Sequence, residues 1–117
     1  MPFSANFVKI TRSSSKLLVE GLSDPNNVNR IDSMEIAINP VGEAGGNGNG
    51  THMRTVSVDA IEGSGDWVVE VNYSNGSTPA VGTSMLVAGA TVLSPSQDSN
   101  GVTDSPFFWF QTLPVEQ

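Results

Sequence analysis

His52 is the only imidazole in the chain, and there is no cysteine. These two facts narrow the available chemistry at once. A two-histidine metal site cannot be built within one chain, and a disulfide framework, a thiolate metal site and a cysteine nucleophile are excluded together. Serine chemistry fares no better. Gly82-Thr83-Ser84-Met85 lacks the second glycine of a nucleophile elbow, and no strand-to-helix turn is predicted around it. The single possible base, His52, follows a glycine-rich run at residues 42–50 and reads as an exposed loop residue. That run lacks the lysine of a P-loop and leads into no helical pattern, so it reads as a flexible surface loop, not a phosphate cradle.

Carboxylates are more plentiful. Asp59, Glu62, Asp66 and Glu70 could supply the pair that glycoside hydrolysis requires, but their spacing selects no pair. Glu70 falls on the outward face of its strand by alternation, and the others read as turn or solvent positions. Calcium has two oxygen-rich loops to consider. One is Asp98-Ser99-Asn100-Gly101-Val102-Thr103-Asp104; the other holds Asp24, Asn26, Asn27, Asn29 and Asp32. Hard cations need six to eight oxygens, and neither loop carries a full EF-hand pattern. Asn and Asp are common in turns for backbone reasons alone. The reading is therefore no catalytic residue, no metal ligand and no cofactor: a binding or structural protein, not an enzyme.

The residues singled out for interaction are Phe107, Phe108, Trp109 and Phe110. In a strand, Phe107 and Trp109 point to one side, Phe108 and Phe110 to the other. A sandwich strand has one face in its own core. The second pair must then meet water, a covering loop or another molecule, and large exposed apolar patches mark contact sites.

Strands must position these rings. Phe7–Thr11 and Lys16–Leu22 are β-rich runs separated by Ser13-Ser14-Ser15. Met34, Ile36 and Ile38 alternate with Glu35 and Ala37 until Pro40. Alternation with period two means one buried and one wet face. Met53–Ile61 follows, with Val56 and Val58 inward. Next, Trp67, Val69, Val71 and Tyr73 alternate with Val68, Glu70 and Asn72, and Trp67 reads as a core anchor. Ser84–Leu93 carries Gly89 mid-strand, a sign of a bulge or close packing. Phe107–Leu113 is last. About seven strands and no helical pattern predict an all-β fold of two packed antiparallel sheets, in one domain spanning residues 1–117.

Charge completes the reading. The net charge is −7, and all five basic residues lie within residues 1–54, while residues 55–117 hold seven acidic groups. Such a surface repels a phosphate backbone, which disfavours nucleic acid. The acidic charge reads first as what keeps the domain soluble; the alternative is an acidic half that docks on a basic partner. No stretch approaches the roughly 20 apolar residues of a membrane-spanning helix, so no membrane partner is expected. Met1-Pro2-Phe3-Ser4-Ala5-Asn6 lacks the basic flank and apolar run of an export signal, which predicts a protein left in the cytoplasm that makes it.

Three places carry a family likeness. Leu18-Val19-Glu20-Gly21-Leu22-Ser23-Asp24-Pro25 runs into Ile31–Ile38; Gly65-Asp66-Trp67-Val68-Val69-Glu70-Val71 forms a tryptophan-bearing strand; and Val81-Gly82-Thr83 leads through Val92 and an Asn100-Gly101 turn to the final aromatic strand. Together these resemble an immunoglobulin-like or fibronectin type III-like accessory domain of bacterial surface or phage virion proteins. The antibody subtype is excluded because its cysteine pair is missing. The resemblance implies an immunoglobulin-like β-sandwich used for adhesion, spacing or surface decoration, and it carries over no catalytic residue. The leading expectation is a phage virion accessory protein, a head decoration, cement or tail component. Such a protein is made in the cytoplasm without a signal peptide and docks on a capsid or tail protein, or on itself. The alternative is an adhesion, spacer or carbohydrate-binding module of a bacterial surface protein or secreted enzyme, with Trp109 or Tyr73 stacking on a sugar.

Overall fold

A computed structural model describes residues 5–25, 28, 31–42, 53–73, 77–93 and 107–117. These residues form seven strands: β1 (Ala5–Ser13), β2 (Lys16–Ser23), β3 (Ile31–Pro40), β4 (Arg54–Ser57), β5 (Asp66–Asn72), β6 (Ser84–Leu93) and β7 (Phe107–Glu116). No α-helix occurs among the described residues. The fold is all-β, as the alternation requires. The expected pair of separate antiparallel sheets is replaced by one mixed sheet with order β4-β3-β6-β7-β1-β2-β5.

The reason lies in the last strand. It does not stop at Leu113 but continues past Pro114, so that Ile10 and Thr11 pair in parallel with Val115 and Glu116. The amide of Val115 donates to the Thr83 carbonyl at 2.9 Å, and the Gly82 amide donates to the Val115 carbonyl at 2.8 Å. This short seam joins two antiparallel blocks, β1-β2-β5 and β4-β3-β6-β7. The sheet then curls until its two edges approach: Arg54 Nε donates to the Asn72 carbonyl at 3.1 Å, and the guanidinium carbon sits 4.4 Å from the centre of the Tyr73 ring.

The concave side of the curl is the core. Leu17, Val19, Val69 and Val71 face Ile36, Ile38, Met85 and Val87, and all are buried. Each such side chain stabilises by about 1.5–3 kcal/mol relative to exposure. Trp67 and Trp109 enter from opposite blocks, with Phe7 between them. Phe7 meets Trp67 edge-on at 5.8 Å and stacks on Trp109 at 5.4 Å. Each indole lies over a glycine on the neighbouring strand: Gly21 is the register partner of Trp67, and Gly89 that of Trp109.

Element boundaries shift in two further places. β1 extends to Ala5–Ser13, beyond the expected Phe7–Thr11, because its whole length pairs with β2. β4 shortens to Arg54–Ser57: the Val58 amide still reaches the Met34 carbonyl at 2.9 Å, but Asp59 and Ala60 are exposed and leave the ladder.

Candidate docking surface

The four aromatic side chains of β7 separate as alternation dictates. Trp109 is buried and Phe107 is half-buried against it, with ring centres 5.9 Å apart. Phe108 and Phe110 are 60% and 69% exposed. They stand on the convex side of the sheet. Of the four rings, the outward pair therefore presents most of the exposed surface.

Register defines what surrounds that pair. Phe108 lies opposite Ala90, which lies opposite Glu35 and then Ser57. Phe110 lies opposite Ala88, followed by Ala37 and Thr55. The next rows along β6 place Leu86 and Val92, both exposed, at either end. Two phenylalanines thus form a ridge beside a floor of alanines. Cross-strand neighbours stand about 5 Å apart, so ridge and floor are in contact range of one partner side chain.

Sequence reasoning found the phenylalanines but missed the floor. The signal was there: Leu86, Ala88, Ala90 and Val92 make β6 apolar on its outward positions as well as its inward ones. A strand apolar on both faces is either covered twice or used for contact. It also missed Gln111, which ties β7 to β1. Its side-chain Nε2 donates to the Phe7 carbonyl at 2.9 Å and its Oε1 accepts from the Phe7 amide. The carboxamide substitutes for a strand backbone where β1 leaves register between Phe7 and Lys9.

The other sequence candidates do not converge. Asp59, Glu62 and Asp66 are exposed along the β4–β5 connection and the start of β5; Asp66 accepts from the Ser64 hydroxyl at 2.7 Å. Glu70 is outward and engaged by Lys16. Among the described residues no group of three or more His, Asp or Glu is arranged to hold a metal ion. His52 and the Asp98–Asp104 loop lie outside the described residues, as do Asn26, Asn27, Asn29 and the side chain of Asp32. Trp109 and Tyr73, the residues expected to stack on a sugar, are 7% and 6% exposed. A surface hollow of about 330 Å³ opens between Val8, Glu20, Glu62 and Val68 on the β1-β2-β5 block, away from the aromatic ridge.

The chain matches no protein-family model, no curated protein and no solved structure. The convex aromatic strip therefore has to be interpreted from its own geometry. No helix among the described residues is long and apolar enough to cross a membrane.

Proposed function

We propose that this chain is a non-enzymatic docking module that attaches to a larger protein assembly through the convex face of β6 and β7. The observation that carries this reading is the exposure of Phe108 and Phe110 beside Ala88 and Ala90. Two outward phenylalanines leave roughly 250 Å² of ring surface in water, and the exposed Leu86 and Val92 extend the apolar strip along β6. Their removal from water on docking would stabilise a complex by several kcal/mol before the costs of association.

The finer fold belongs to the same proposal. An immunoglobulin-like, fibronectin type III-like sandwich divides into three strands facing four, and the blocks β1-β2-β5 and β4-β3-β6-β7 support that division. We take the setting to be a phage virion, as a head decoration, cement or tail accessory. A cysteine-free, acidic domain with a built-in contact strip suits a particle surface.

The test is site-specific photo-crosslinking in the cells that make the protein. A photoreactive phenylalanine analogue at position 110 should give one adduct of discrete mass, identified as a structural protein of the particle. The same analogue at position 70, outward on the opposite block, should give none. Equal adducts from both positions, or none from either, would contradict the proposal.

A further inference from the structure

Resting on the docking reading, we infer that the convex strip takes a partner whose apolar recess is bordered by lysine and arginine, and does not take a second copy of this chain. The argument is the distribution of charge around the strip. β6 and β7 contain no Lys or Arg, and neither does β3. The outward positions of β4 on this face are Thr55 and Ser57. Arg54, the one basic residue of β4, shares its row with the inward Ile38 and reaches over Tyr73 toward β5. Among the described side chains, the charges on the strip are Glu35, in the row of Phe108, and Glu116, exposed beyond Pro114 at the far end of β7.

Two copies packed strip to strip would bring these carboxylates together with no cation among the described residues of either strip. Like charges across an interface disfavour the wrong partner. A copy offering the outer face of its β1-β2-β5 block does no better. There Lys9 sits 3.7 Å from Glu20 and Lys16 is engaged by Glu70, while Glu62 and Asp66 stand exposed on the same face, so acids outnumber these two lysines. A foreign surface with basic groups around an apolar recess satisfies both the rings and the carboxylates. Its approach would also be steered by the net charge of −7.

The test uses the full chain, amide-resolved NMR and two soluble probe peptides, one alternating Leu and Lys, the other Leu and Glu. The Leu/Lys peptide should shift the amides of Ala88, Ala90, Phe108 and Phe110, and the Leu/Glu peptide should not. At about 50 mM salt, E35Q/E116Q should bind the Leu/Lys peptide about threefold more weakly, while E62Q/D66N, with the same change of net charge, should not. The difference should vanish at about 500 mM salt. Equal binding of both peptides at those four amides would overturn the inference and leave the docking reading standing. So would a concentration-dependent dimer whose contacts map to the same amides. Shifts confined to other residues and unchanged by F108S/F110S, or no shifts at all, would overturn both.

Discussion

The ring of Trp109 lies across Gly89, its cross-strand partner, so closely that a Cβ built on Gly89 would sit 2.3 Å from Trp109 Cζ2. The other block repeats the arrangement, where a Cβ on Gly21 would sit 2.0 Å from Trp67 Cζ2. In both places the missing side chain makes room for an indole that closes one end of the core. Real side chains do not approach so near, so a methyl group there forces the tryptophan out of its position.

Gly89→Ala and Gly21→Ala should therefore each destabilise by about 1–3 kcal/mol, the usual cost of overpacking, even though alanine suits a strand better than glycine. Urea unfolding followed by tryptophan fluorescence measures this. Equal or higher stability of either variant would show that the indole is free to move.

The two sides of β7 should respond in opposite ways. Trp109→Ala opens a cavity in the core and should cost about 3–5 kcal/mol. Phe108→Ser and Phe110→Ser remove exposed rings and should change stability by no more than about 0.5 kcal/mol. Denaturation midpoints of the three variants separate core from contact surface.

Much of this was legible in the sequence because alternation is a direct consequence of the pleat. The inward set Trp67, Val69, Val71 and Tyr73 is buried as read, and so are Met34, Ile36 and Ile38. The outward placing of Phe108 and Phe110 follows from the same rule. What could not be read is long-range register. Nothing local in Gly89 says which strand supplies the ring above it. Nor does Val115 announce a parallel partner more than a hundred residues upstream, and that pairing merges two blocks into one sheet. Gln111 was illegible for a related reason. An ordinary amide on a strand becomes a clamp only when the β1 backbone arrives beside it.

Gln111→Leu should keep the packing volume while removing both bonds to the Phe7 backbone. The Phe7 amide and carbonyl then lose their partner, at a cost of about 1–3 kcal/mol. Amide hydrogen exchange should accelerate at Phe7 and spare Val19 and Val69 in the centre of β2 and β5. Unchanged exchange at Phe7 would mean another group satisfies it.

Thr91 is fully buried on β6, and its hydroxyl has no hydrogen-bond partner among the described residues. Thr91→Val replaces that hydroxyl with a methyl of similar size. Stability should rise by about 1 kcal/mol, since the desolvation of an unpaired polar group is removed. A loss of stability in thermal unfolding would show that the hydroxyl is bonded in solution.

The central claim is that the outward phenylalanine pair attaches this domain to something larger. Gel filtration of native extract from the producing cells tests it most directly, comparing the unaltered chain with F108S/F110S after both are shown to unfold at the same urea concentration. The unaltered chain should elute with an assembly far above its own mass, and the variant at the mass of the lone chain. Co-elution of both with the assembly, or of both as free chains, would contradict it.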